Sequence, residues 1–116
     1  MVGISPEMEL QKLDRALRFA RTNLSPDVTA QRLSILINVF FNEGLSQREL
    51  LRHLDGTSIT ALSRNLADLS ALTTKKSPGP ALLELRVDPL NLRVKRVFLT
   101  RKGQAFMKRW LEFIGG

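Results

Sequence analysis

The sequence contains no cysteine and a single histidine, His53. The first absence excludes disulfides, cysteine-based zinc sites, thiol nucleophiles and cysteine redox sensing together. One histidine supports neither a catalytic triad nor a metal centre, and His53 is expected to lie exposed on a short helix. No pair of carboxylates stands in a pattern suited to acid–base work, and no glycine-rich phosphate loop is present. The longest apolar block, Leu33 to Phe41, is interrupted by Ser34 and Asn38 and is too short to span a bilayer. Met1 to Glu7 has neither the basic start nor the apolar run of a secretion signal. These absences predict an intracellular protein that is not an enzyme, with no cofactor, no metal and no membrane partner.

What the chain does have is positive charge, placed unevenly. With 116 residues, 43% hydrophobic and 25% charged, it has the make-up of one globular domain over 1–116. The net charge is +7 and the pI near 10.8. Residues 1–45 carry five Lys/Arg (Lys12, Arg15, Arg18, Arg21, Arg32) against five acids (Glu7, Glu9, Asp14, Asp27, Glu43) and sum to zero. Residues 46–116 carry the other thirteen cations against six acids, which is the whole excess. The neutral part reads as scaffold and the basic part as the working surface.

Helical punctuation is frequent. Ser5-Pro6-Glu7 is a helix start, and Leu10, Leu13, Leu17, Ala20 and Leu24 follow at helical steps as one apolar stripe. Ser25-Pro26-Asp27 repeats the start signal for a helix carrying Val28, Leu33, Leu36, Ile37, Val39, Phe40 and Phe41, which Glu43-Gly44 ends. Ser46-Gln47-Arg48-Glu49 is a capping-box pattern. After Asp55-Gly56, Thr57 or Ser58 can cap a helix with Ile59, Leu62, Leu66 and Leu69 on one face and Thr60, Ala61, Ser63, Arg64, Asn65 and Asp68 on the other. A short helix, a glycine-containing turn and an amphipathic second helix make a helix-turn-helix.

Thr73 to Ala81 is loop by composition. Leu82–Val87 and Asn91–Leu99 read as two strands joined by Asp88-Pro89-Leu90-Asn91, a basic β-hairpin. In the second strand Leu92, Val94 and Phe98 are expected on the buried side, with Arg93, Lys95 and Val97 on the other. Thr100 can cap a final helix over 100–114 bearing Phe106, Trp110, Phe113 and Ile114, with Met107 and Leu111 beside them. This is more apolar surface than one core stripe needs, which predicts a subunit interface.

Thr60–Leu69, Leu45–Leu50 and the run Arg93, three residues, Val97-Phe98-Leu99-Thr100-Arg101-Lys102-Gly103 resemble the recognition helix, the first helix-turn-helix element and the wing-to-helix pattern of MarR-family regulators. The resemblance covers roughly residues 8 to 114. The chain departs from the pattern in two places. Thr73-Thr74 and a Pro/Gly loop follow the recognition helix in place of Gly-Leu, and Asn91 stands where an acidic residue is common two before the Arg. The resemblance implies a mainly α fold with a small β-hairpin (α+β), a winged helix-turn-helix over 45–103 with dimerisation helices over 5–24 and 100–114. It also implies a homodimeric repressor on a pseudo-palindromic double-stranded DNA site, cytoplasmic and nucleoid-associated, encoded by a bacterium, an archaeon or a mobile element. A small-molecule effector of unknown identity is a further partner such proteins take.

On that reading Arg64 forks onto guanine, Asn65 pairs with adenine, and Ser58, Thr60 and Ser63 hold phosphates or base edges. Lys75 and Lys76 meet phosphates from the loop, while Arg93, Arg86 and Lys95 reach the backbone or minor groove from the wing. The structural alternatives are an Arg64–Asp68 pair along the helix and an Arg96–Glu84 pair across the hairpin. Leu13, Leu17, Phe106, Trp110, Phe113 and Ile114 are the expected dimer contacts. A winged-helix protein–protein interaction module and a nonspecific DNA-coating protein fit the same charge distribution.

Overall fold

The computed structural model describes residues 5–115; Met1–Ile4, on which the expectation about a secretion signal partly falls, and Gly116 lie outside the described residues. Helix α1 (Pro6–Asn23) begins where Ser5 accepts the Met8 amide and Pro6 takes a first-turn position that needs no donor. Helix α2 (Ala30–Phe41) starts later than Ser25-Pro26-Asp27 suggests. Ser25 Oγ accepts the Asp27 amide in a local turn instead, and Thr29 is the residue that caps α2. Val28 therefore precedes the helix.

Helix α3 (Gln47–Leu51) has the complete capping box: Ser46 Oγ accepts the Glu49 amide, and Glu49 Oε1 accepts the Ser46 amide. Gly56, at φ +69°, makes the turn to helix α4 (Ile59–Asp68), which Ser58 caps. Strands β1 (Leu83–Asp88) and β2 (Asn91–Leu99) pair antiparallel. Leu82 stays out of the sheet because its amide donates to Leu69 O at the end of α4 and its carbonyl accepts the Thr100 amide. Helix α5 (Arg101–Gly115) follows, with Thr100 Oγ1 accepting the Gly103 amide.

The faces of β2 differ from the simple alternation. Val97 and Leu99 are the buried residues, opposite Leu85 and Leu83, whereas Leu92 is exposed and Val94 and Phe98 are half-buried. Val97 and Leu99 share the core side with their β1 partners, and toward the tip the register breaks. It jumps from Val87–Lys95 to Asp88–Asn91, so Leu92, Arg93 and Val94 have no counterparts on β1. Such a bulge bends the strand and re-aims everything beyond it.

The core joins all helices and the base of the hairpin. Leu33, Ile35, Leu36 and Val39 of α2 meet Leu50, Leu62, Leu66 and Leu69, then Leu82, Leu83, Val97 and Leu99, then Phe106, Met107 and Trp110. Helix α1 meets α5 through Ala16 and Ala20, whose small side chains let the Trp110 indole reach the α1 backbone; Nε1 donates to Ala16 O at 2.9 Å. Phe19 sits between Phe106 and Phe113, 5.2 Å from each ring. Phe106 and Trp110, expected at a subunit interface, are thus interior residues of this chain. The α1 stripe divides too: Ala20 is buried, with Ala16 beside it from outside the stripe, Leu24 is half-buried, and Leu10, Leu13 and Leu17 face outward. On α5, Phe113 is half-buried and Leu111 and Ile114 are exposed.

A close approach fixes α5 on the hairpin. A Cβ added at Gly103 would lie 2.0 Å from the Leu82 carbonyl oxygen, a backbone atom already engaged by Thr100. Gly103→Ala is therefore expected to destabilise by ~2 kcal/mol in urea unfolding, against the helix propensity that favours alanine. Gly115→Ala, with nothing within 4 Å of the new Cβ, is the matched control and should be neutral. Equal stability of the two variants would disprove the tight docking.

Candidate nucleic-acid interface

Helix α4 turns Leu62 and Leu66 into the core, which leaves Thr60, Ser63 and Arg64 exposed on the opposite face. A cleft of about 380 Å³ opens between this helix, the start of α3 and the wing. Ser46, Gln47 and Arg48 line one wall, Ile59 and Ser63 the floor, and Arg93, Val94 and Lys95 the wing side. A shallower depression continues along α4 through Thr60, Arg64 and Ala67 to Thr74. The exposed face of α4 and the wing cations form one continuous surface.

Three acids beside this surface are engaged by backbone amides and arginines. Asp68 accepts the Thr74 amide and hydroxyl, both at 2.9 Å, and pairs with Arg32 Nη2 at 3.1 Å. Glu49 accepts the Ser46 amide at 3.0 Å and lies 3.3 Å from Arg96 Nη1. Asp88 accepts the Leu90 amide at 2.8 Å and Arg96 Nε at 3.1 Å. Each carboxyl is held below its ordinary pKa: by the Thr74 amide and then Arg32 for Asp68, by Ser46 and then Arg96 for Glu49, and by the Leu90 amide and then Arg96 for Asp88. Arg48, Arg64, Lys75, Lys76, Arg93 and Lys95 remain exposed.

Arg96 holds the pieces together. Besides Glu49 and Asp88, its Nη1 donates to Gly44 O at 2.9 Å. Around it the loop before α3 is stitched to β2: Gly44 N donates to Val97 O, Val97 N donates to Leu45 O, and Ser46 bridges to Arg96. One guanidinium thus spans the helix-turn-helix and the wing turn.

Several expected site residues are placed differently. Asn65 is committed within the protein, Oδ1 accepting Arg32 Nε at 3.0 Å and Nδ2 donating to Ala61 O at 3.1 Å. An amide held at both ends keeps one N–H and one lone pair, and its orientation is set by Arg32 and the α4 backbone. Asp68 pairs with Arg32, not Arg64, because α2 places Arg32 beside it. Arg86 donates to Glu84 and stacks 4.1 Å from the Phe98 ring, so it belongs to the hairpin itself. Glu84 is consequently Arg86's partner rather than that of Arg96. Ser58 uses its oxygen as the α4 cap, keeping only its O–H to donate. Lys75 and Lys76 are exposed on the loop, where Lys76 has φ +61°.

Gln47, Arg48, Ile59 and Thr74 line the surface without having been expected there. The capping box signalled the first two, since a box fixes where its first helical turn begins, but their proximity to the wing is tertiary. An open groove of about 560 Å³ lies elsewhere, between α2, the end of β2 and α5, lined by Phe40, Leu99 and Leu111 with Glu43, Lys108 and Glu112 at its rim. Among the described residues no cluster could hold a metal ion, and no helix is long and apolar enough to cross a membrane.

The three depressed carboxyls set a sign for acid behaviour. Each binds its proton less readily folded than unfolded, so its contribution is complete above the unfolded pKa and is lost as pH falls through the folded one, below about pH 4. Thermal stability should decline over that range, and amide exchange in the wing should accelerate. Arg96→Met should flatten only part of the decline, because the Ser46 and Leu90 amides still hold Glu49 and Asp88. An acid profile unaltered by Arg96→Met would remove the arginine from the wing's anchorage.

No protein-family model and no curated protein matches the chain by sequence. Solved structures do match its shape. They include the PcaV transcriptional regulator from Streptomyces coelicolor with its natural ligand (20% identity, 99% of this chain and 79% of that one, TM-score 0.59). The transcriptional repressor CouR bound to a 23-mer DNA duplex is similar at 19% identity over 94% of this chain and 68% of that one, with a TM-score of 0.60. A mutant MarR from E. coli complexed with operator DNA is similar at 24% identity over 94% and 72%, with a TM-score of 0.62. At these identities the likeness establishes architecture: the chain has the MarR-type winged helix-turn-helix fold, mainly α with a small β-hairpin wing.

Proposed function

We propose that this chain is a sequence-specific transcriptional regulator of double-stranded DNA, acting as a homodimer that represses by occluding its site. The observation that carries the reading is the sorting of charge: Glu49, Asp68 and Asp88 beside α3, α4 and the wing are paired with Arg32 or Arg96, while Arg48, Arg64, Lys75, Lys76, Arg93 and Lys95 stay exposed on one surface of the right shape. A protein surface built this way releases counterions from phosphates without repelling them locally. Residues 45–103 are the DNA-binding part, with α4 in the major groove. Arg64 reads a base there, Thr60 and Ser63 hold base edges or backbone, and Ser58 donates to a phosphate. Arg48, Lys75 and Lys76 take flanking phosphates, and Arg93 and Lys95 take the backbone or minor groove beside the wing. Nothing in this reading requires catalysis.

The dimer reading is supported by what the core leaves outside. Leu10, Leu13 and Leu17 on α1 and Leu111 and Ile114 on α5 remain exposed on two helices that already pack together. A two-fold axis through this pair would present two α4 helices to successive half-sites roughly 10 bp apart. The groove between α2 and α5 offers a small apolar effector a place near the same helices.

Selection of duplexes from a random pool should enrich a pseudo-palindrome; tight binding without enrichment would point to nonspecific coating. On the selected duplex Arg64→Ala should cost ~1–3 kcal/mol and relax preference at one position, because a bidentate base contact is lost. Arg93→Ala should weaken specific and random DNA alike and lower the salt slope by about one counterion. Negligible losses for both would end the DNA reading.

For the dimer, Leu13→Glu with Leu17→Glu should shift the mass by light scattering toward the monomer. A parent protein already monomeric at ~100 μM would defeat the two-fold model.

A further inference from the structure

The wing turn is apolar where a phosphate-binding tip would be charged. Leu90 is 95% exposed, Leu92 76% and Val87 48%, with Pro89 also exposed between them. Asp88 is the one charge in the run Val87–Leu92, and its carboxylate is taken by the Leu90 amide and by Arg96. The turn is also held in shape: Asn91 Oδ1 accepts the Arg93 amide, and the bulge that leaves Leu92–Val94 unpaired re-aims the tip. Arg93 and Lys95 stand exposed just behind it.

We propose that Leu90, supported by Leu92, is an apolar wedge that enters the DNA minor groove while Arg93 and Lys95 hold the phosphates at its rims; this rests on the DNA-binding reading above. A leucine at the tip gains nothing against phosphates. The minor groove, about 6 Å wide, has room for one side chain between walls of sugar, and apolar wedges there contact or part the base steps. Cations placed behind an uncharged tip match the order in which a groove presents uncharged sugar walls inside and anionic rims outside. The inward Asp88 removes the one charge that would oppose entry.

The test uses a duplex selected by the parent protein, measured across a salt series. It compares the parent with Leu90→Ala, Leu90→Asp, Leu90→Met and Arg64→Ala. Diaminopurine in place of adenine in the flanks adds an amino group to the minor groove and leaves the major groove pattern intact. Leu90→Ala should bind about ten-fold more weakly with an unchanged salt slope, since apolar contact and not counterion release is lost. Leu90→Asp should lose more, and Leu90→Met should retain binding. Diaminopurine flanks should weaken the parent by about ten-fold and Leu90→Ala by much less. Parent-like binding by Leu90→Asp, or an equal diaminopurine penalty for parent and Leu90→Ala, overturns the wedge. If Arg64→Ala still loses affinity in that case, DNA recognition by α4 stands and only the wedge falls. Failure of the parent to select or bind any duplex overturns both.

Discussion

The arrangement of the basic surface depends on one side chain, Arg96. The wing is a two-stranded ribbon, too small to orient itself, and α3 is a five-residue helix with little hold of its own. Arg96 fastens each to the other through Gly44 O, the capping-box Glu49 and the turn residue Asp88. Guanidinium geometry suits this role: its planar fork reaches three acceptors in different directions, whereas an ammonium offers a single compact charge. The partners are partly exposed, so their ion pairs add little stability in water. Their effect is orientation, because three acceptors at fixed angles define where the wing lies relative to α4.

The same contacts shape the electrostatic field. A net charge of +7 says nothing about where an anion docks, and six acids sit in the same basic part of the chain. Three of them, Glu49, Asp68 and Asp88, lie next to the candidate surface, and each is satisfied by backbone amides and an arginine. Arg32 and Arg96 thus spend their charge cancelling acids, while Arg64 and Arg93 keep theirs. Composition ranks these four arginines equally; partner geometry separates them.

Local rules were legible in the sequence wherever one residue sufficed to decide. The Ser5, Ser46, Ser58 and Thr100 caps, the glycine turns and the hairpin follow from side chains acting on their own neighbours. Illegible were features decided across the fold. Thr29 outcompeted Ser25 as a cap because Ser25 closed a turn. Pairing with Leu85 and Leu83 over the core placed Val97 and Leu99, not Phe98, on the buried face of β2. Asn65 looked like a base reader until Arg32, thirty-three positions earlier in the chain, was placed against it. Trp110 looked like an interface residue because nothing in its own helix reveals that α1 approaches with alanines. The major-groove candidates Thr60, Ser63 and Arg64 remain exposed on α4, and the wing candidates Arg93 and Lys95 face the same cleft.

The alanines of α1 tie the interior to the proposed assembly. Because Ala16 and Ala20 face α5, the indole of Trp110 can hydrogen-bond to the α1 main chain, and the leucines of α1 are left on the outside. The first turn of α5 in turn sets Gly103 against the Leu82 carbonyl, and the Leu82 amide bonds to Leu69 O at the end of α4. A short run of backbone contacts, with no flexible side chain in it, therefore leads from the α1–α5 pair to α4. Close-packed elements move as units rather than deform continuously. In a dimer built on α1 and α5, the angle at that interface would set the separation of the two α4 helices, and a ligand that altered the angle would alter which half-site spacing fits.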